Sequence, residues 1–139
     1  MRPIKFRVWL DEFNKMFYDV GLMGGELYVN IDGKGYDVVG DCRNFKLMQY
    51  TGLKDRNGRE IYEGDIVNAR DVKVNGQDKF YICEVKWMPT GWYAMSYKDL
   101  VGIEHYLSLN ILETEVIGNI YENPELLEAK GNEHIPNQN

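Results

Sequence analysis

The chain has 139 residues, 44% of them hydrophobic and 13% aromatic, enough for one packed domain or two small subdomains sharing a core. That composition excludes global disorder, and 14 glycines against 4 prolines suit a turn-rich β protein. The formal charge of −6, with the acidic surplus falling after residue 50, repels a phosphate backbone unless cations gather on one face.

In chain order, residues 4–10 alternate with period two, so a half-buried strand is expected with Ile4, Phe6, Val8 and Leu10 on one face. Residues 11–15 read as a turn, Met16-Phe17-Tyr18 as the return strand, and Gly24-Gly25 as the end of that unit. Leu27, Val29 and Ile31 mark a further strand, closed by the loop at 32–35, with residues 36–39 as its hairpin partner. Phe45, Leu47 and Gln49 alternate with Lys46, Met48 and Tyr50 in a strand that leads into QYTGLKDRNGREIYEGDIV at 49–67.

This stretch carries the sharpest turn chemistry in the chain. Asp55-Arg56-Asn57-Gly58 has Asp first and Gly fourth, the pattern of a type I turn closed by a left-handed Gly and a one-residue bulge. The alternative is a two-residue type I′ turn centred on Asn57-Gly58. Leu53 and Ile61 flank the hairpin either way, and Glu63-Gly64-Asp65 then makes a corner before Ile66-Val67. Residues 71–79 contain Asn75-Gly76 and read as a long exposed hairpin tip. Residues 80–87 form the strongest strand signal, apolar on both faces at its start and therefore central. Met88-Pro89-Thr90-Gly91 turns the chain into a strand from Trp92. Residues 98–110 fit either a short helix or a loop packed on the sheet. Residues 115–121 read as a closing strand with Gly118 as a bulge. Asn123 is placed to cap a short helix with Pro124 in its first turn; Leu126 and Leu127 are placed to dock it.

The resulting expectation is a mainly β fold. A β-hairpin subdomain at 1–49 precedes an SH3-like small β-barrel at 50–123, a short C-terminal helix at 124–130 and a disordered tail at 131–139. Isolated hairpins are barely stable in water, so the first fifty residues must pack on the barrel or on another copy of the chain, which motivates a homo-oligomer.

Three segments, residues 49–67 above all, then FRVWLDEFNKMFYD near the start and EVIGNIYENPELL at 115–127, together resemble the YopX family. Trp9 and Met16 match the usual aromatic and apolar positions of that family's N-terminal hairpin. Its members are small proteins encoded by phages and prophages of mainly low-GC Gram-positive bacteria. The resemblance implies a phage accessory role in the bacterial host cytoplasm, with no established molecular activity.

Chemistry-bearing clusters are few. Cys42 and Cys83 lack a nearby cysteine partner or a zinc spacing, so buried free thiols in a reducing cytosol are expected. His105 and His134 are the only imidazoles, too few for a nucleophile–base–orienter set, and the Gly pairs lack the strand-to-helix context of a phosphate loop. Asp55, Glu60, Glu63 and Asp65 cluster but do not follow a calcium-loop spacing, so Asp55, Asn57, Gly58, Gly64 and Asp65 read as structural turn residues. No metal or other cofactor is expected. The N-terminus alternates charged and apolar groups unlike a secretory leader, and no apolar run approaches roughly 18 residues, so no membrane contact is expected.

A binding role is therefore expected in place of catalysis. The main reading is a non-enzymatic module that binds a phage or host protein or assembles with itself, since exposed hairpins, strand edges and surplus aromatics are materials of β-type interfaces. The alternative is single-stranded nucleic-acid binding, with Lys54, Arg56 and Arg59 at the hairpin tip following the backbone and Tyr50, Tyr62 and Trp92 offering rings to bases.

Overall fold

The computed structural model describes residues 4–71, 78–109, 113–128 and 133–134. Strand accounts for 59% and helical turn for 6%, so the fold is mainly β, and its curled sheets include a half-barrel. The chain divides into two units, Met1–Tyr50 and Thr51–Asn139.

In the first unit, β1 (Phe6–Leu10) pairs antiparallel with β2 (Lys15–Phe17) on one side and with the start of β6 (Lys46–Lys54) on the other. A second sheet has the order β3-β4-β5, from β3 (Val20–Met23), β4 (Glu26–Val29) and β5 (Asp37–Asp41). Val8, Leu10, Phe17, Leu27 and Val29 form the core of this unit, with Val20, Val39, Phe45 and Leu47 packed against it.

Three sequence expectations change here. Gly24 and Gly25 do not end a unit; at φ 60° and 80° they form the two-residue turn between β3 and β4. Positive φ at both central residues is the geometry that matches strand twist in a hairpin. Ile31 lies outside β4, because the strand stops at Val29 and the Asn30 carboxamide oxygen accepts the Gly33 N–H at 2.9 Å, which turns the chain. Finally, β1 is not half-buried. Val8 and Leu10 lie in the core as expected, while Ile4 is 76% exposed and the opposite face carries Arg7 at 1% and Trp9 at 6%. Arg7 sits there with its guanidinium 5.8 Å from the Tyr18 ring centre.

The second unit begins within β6 at Thr51. β7 (Glu60–Tyr62) returns beside it, and then β8 (Asp65–Asp71), β9 (Lys79–Met88), β10 (Trp92–Lys98) and β11 (Glu104–Ser108) run as an antiparallel meander. β12 (Glu113–Asn119) comes back to the free side of β8, giving the order β11-β10-β9-β8-β12. Ile61, Val67, Ala69, Tyr81, Cys83, Val85, Met95, Leu109 and Val116 make the core. The β9 pattern explains its central place: Tyr81, Cys83 and Val85 alternate inward, and β8 and β10 flank it.

Of residues 98–110, open between helix and loop in the sequence, the described ones supply the end of β10, a tight turn and all of β11. β8 and β9 pair out to Asp71 and Lys79, and the Asn75-Gly76 tip lies outside the described residues. The bulge in β12 falls at Ile117, between Val116 and Gly118, one residue before the glycine. The C-terminal helix is a single 3-10 turn, Pro124–Leu127, and the Asn123 side chain does not cap it. Its carboxamide oxygen instead accepts the Asn119 N–H at 3.2 Å, closing the turn that leaves β12. β13 (Glu133–His134) pairs with Phe80 and Tyr81 of β9 within the stretch whose composition reads as tail; the rest of 129–139 lies outside the described residues.

Candidate functional site

The hairpin turn at 55–59 is the type I form. The Gly58 N–H donates to the Asp55 carbonyl at 3.0 Å, the Asp55 N–H to the Arg59 carbonyl at 2.8 Å, and Gly58 takes φ 83°. Asn57 is not among the positive-φ residues, which removes the type I′ alternative. The Asp55 carboxylate organises the turn: Oδ1 accepts the N–H groups of Asn57 and Arg59, each at 2.9 Å. Its other oxygen accepts the Val116 N–H of β12 at 2.9 Å, and the Arg56 N–H donates to the Thr114 carbonyl. Burial would raise the Asp55 pKa, but the Val116, Arg59 and Asn57 amides outweigh it and hold the carboxyl below its usual range. This aspartate clamps the hairpin to β12.

The expected contact residues divide accordingly. Lys54, Arg56 and Arg59 are exposed, but the Arg56 guanidinium pairs with Glu115 at 3.2 Å and the Asn57 carboxamide donates to the same oxygen. Tyr50 and Tyr62 are each 5% exposed and belong to the interior, so neither ring offers a face to a base, a correction to their expected stacking role. Trp92, 39% exposed, opens β10. Gly64 holds the corner at φ 82°, donating to the Val85 carbonyl and accepting from the Ile120 N–H; Asp65 accepts the Tyr62 N–H at 2.8 Å. Both are structural. Among the described residues, no three His, Cys, Asp or Glu side chains converge on a metal position.

The turn chemistry of 55–59 recurs at 99–103, where the sequence reading left the chain unassigned. The Gly102 N–H donates to the Asp99 carbonyl at 3.0 Å, the Asp99 N–H to the Ile103 carbonyl at 2.9 Å, and Gly102 takes φ 88°. Asp99 Oδ1 accepts the Val101 and Ile103 N–H groups at 3.0 and 2.9 Å. Its second oxygen faces His105 Nε2 at 2.8 Å, and this contact first, with the amides, holds the Asp99 carboxyl low. The pattern Asp-x-x-Gly is visible in the sequence at both places and could have located this hairpin. The decoration differs. Where the first turn carries Arg56, Asn57 and Arg59, the second presents Leu100, Val101 and Ile103, at 67%, 80% and 58% exposure.

The base of this aliphatic tip is tied across three strands. Glu104, the first residue of β11, accepts from Ser96 Oγ at 2.6 Å, from the Tyr106 hydroxyl and from Lys86 Nζ at 3.0 Å. These donors bring its pKa down to about 2. The carboxylate crosslinks β9, β10 and β11 below the tip. Glu84, beside this group on β9, is pushed up by burial. Trp92 lies at the other end of β10, about 20 Å from the tip at strand rise.

Of the two free cysteines, Cys83 is fully buried and desolvation drives its pKa up to about 12, whereas Cys42 is only partly buried, which corrects its expected burial. In the native protein an aromatic disulfide reagent is expected to titrate one thiol promptly and the second only after denaturant is added. Prompt reaction of both would show that the β8–β9–β10 core opens freely.

No helix among the described residues is long and apolar enough to cross a membrane. No curated protein matches the chain. Among solved structures, the protein EF1440 from Enterococcus faecalis is similar, with 27% sequence identity and a TM-score of 0.58, over 91% of this chain and 99% of that one. The family model described as YopX protein matches residues 5–128. That span takes in both units, the Asp55 clamp, the aliphatic tip and the Asn119–Asn123 closing turn, and the chain accordingly belongs to the YopX family.

Proposed function

We propose that this protein is a non-enzymatic, phage-type accessory module that binds a protein partner in the bacterial cytoplasm through the aliphatic tip at 100–103. The observation that carries the reading is the exposure of Leu100, Val101 and Ile103 on a turn already locked by Asp99. Exposed aliphatic side chains on a mobile loop fold back or scatter; on a preformed turn they are held outward with little ordering cost on binding. The crosslink at Glu104 fixes the base of the hairpin in the same way. The strand order, a four-stranded meander with the fifth strand returning to the first, supports an SH3-like reading of the second unit, in which this hairpin is a loop at one end of the barrel. A second copy of the chain is one such partner, so homo-oligomerisation belongs to the same proposal.

The test is affinity capture of tagged protein from host cells during infection or induction, beside a Val101→Asp/Ile103→Asp variant. Nuclease treatment and solution mass measurement accompany both. A stoichiometric protein, or a second copy, that survives nuclease and is lost with the variant is the expected result. The variant is expected to melt within about 2 °C of wild type, because surface substitutions away from packed features change stability little. Recovery unaffected by the variant, with a monomeric mass at micromolar concentration, overturns the tip as the contact. Nuclease-sensitive recovery of RNA or DNA that is lost with Arg56→Glu plus Arg59→Glu transfers the function to the nucleic-acid reading.

A further inference from the structure

The first unit holds a cleft of about 530 Å³ that none of the features above uses. Its size falls within the range of about 300–1,000 Å³ typical of ligand sites. Phe13, Ile31, Val38 and Phe45 supply an apolar wall, and the buried Trp9 borders it. The polar lining is mostly acidic: Asp11, Glu12 and Asp37 stand against Lys46 alone among charged groups.

Two of those charges cancel. Lys46 Nζ lies 2.9 Å from both carboxylate oxygens of Asp11, and the Trp9 indole N–H donates to the same group at 3.1 Å. Glu12 and Asp37 are exposed, and neither has an ion pair among the described residues. The cleft therefore combines apolar side chains with two uncompensated carboxylates, which favours a cation carried on an apolar body and repels an anion.

The strand beside the cleft narrows the choice further. Asp37, Val38 and Val39 all line it. Alternation breaks within this run, because Val39 is a bulge between Val38 and Gly40, which pair with Tyr28 and Leu27. β5 is an end strand of its sheet, paired on one side with β4. An edge of this kind offers backbone N–H and C=O groups to an added strand, and the neighbouring cleft then receives alternate side chains.

We propose that this cleft is a second binding site, independent of the tip at 100–103, which takes an extended basic and hydrophobic segment of a partner protein. The segment adds to the free edge of β5, its apolar side chains enter the cleft, and an arginine or lysine meets Glu12 and Asp37.

The experiment uses the full chain, uniformly labelled with nitrogen-15, and two blocked, fluorescein-tagged hexapeptides, one alternating leucine with arginine and the other leucine with glutamate. The basic peptide is expected to bind, with amide shifts concentrated at residues 37–40 and at the Trp9 indole, and the acidic one to leave the spectrum unchanged. Asp37→Lys and Glu12→Lys should each weaken the basic peptide about tenfold, a loss in the range of one close charge pair. Glu125→Lys, on the exposed 3-10 turn of the other unit, makes the same change in net charge and should leave affinity unaltered. Each variant's own spectrum shows whether it is folded. Equal responses to both peptides, equal weakening by Glu125→Lys, or no shift at millimolar peptide would overturn the proposal. Shifts confined to residues 99–104 would overturn it too, and would assign the peptide to the aliphatic tip.

Discussion

Asp55→Ala is expected to destabilise the second unit by about 3 kcal/mol, in the range for hydrogen bonds to a charged group combined with a buried donor left unpaired. The carboxylate accepts three backbone N–H groups while only 7% exposed, and one of them, from Val116, comes from a strand distant in sequence. Alanine leaves that buried amide without its acceptor and removes one of the ties between the hairpin and β12. Urea unfolding with a tryptophan fluorescence readout checks the magnitude; a loss below about 1 kcal/mol, the size of one ordinary hydrogen bond, would show that Asp55 is not a clamp. The effect carries a pH signature of defined sign. A carboxyl held below its unfolded value, near 3.9 for a free aspartate, stabilises fully above that value and loses its contribution as pH falls through the lower folded value. The gap between wild type and Asp55→Ala should therefore narrow on acidification from about pH 6 to about pH 3. A gap that widens in acid contradicts the assignment.

Gly118→Ala is expected to cost about 2 kcal/mol for a different reason, overpacking at a closed turn. A Cβ placed at Gly118 would stand 2.5 Å from the Asn123 side-chain oxygen and 2.9 Å from the Asn123 Cβ. Asn123 cannot move away freely, since that oxygen accepts the Asn119 N–H and its own N–H donates to the Asn119 carbonyl at 2.8 Å. Asn119 in turn accepts from Tyr121 and Glu122, so the four residues lock one another. Asn123→Gly removes the three atoms nearest the new methyl. The double variant should then be more stable than the sum of the single losses by about 1 kcal/mol, the coupling expected of residues in contact. Strict additivity in denaturant unfolding would locate the cost of Gly118→Ala elsewhere.

Both devices lie in segments that stood out in the sequence, yet they were legible to different degrees. Asp55-x-x-Gly58 prescribes its own turn, because every bond that forms it spans at most four residues. The same local chemistry operates at Asp99-x-x-Gly102, but there apolar Leu100 and Val101 fill the turn, a composition that fits a helix or a packed loop equally. Asn123 before Pro124 had the right composition for a helix cap, but its side-chain oxygen accepts the Asn119 N–H of the closing turn and makes no cap bond to the single 3-10 turn. At Gly24-Gly25 the glycines were recognised as a break, although their left-handed backbone joins two strands of one sheet.

What the sequence by itself determined is the mainly β class, the strand periods, the turn at 55–59 and the family, all of which rest on residues close together in the chain. Only the tertiary structure decided which faces those strands bury. Arg7 occupies the polar position of an alternating strand and is 1% exposed, and Tyr50 and Tyr62 are withdrawn into the interior, while Leu100, Val101 and Ile103 stand in solvent. The cleft beside β5 likewise draws on residues 9–13, 31, 37–39 and 44–46, which no local pattern brings together. Backbone geometry is governed by steric and hydrogen-bond rules that act within a few residues. Burial is governed by what packs against a surface from elsewhere in the chain, and that partner is not encoded in the segment it covers.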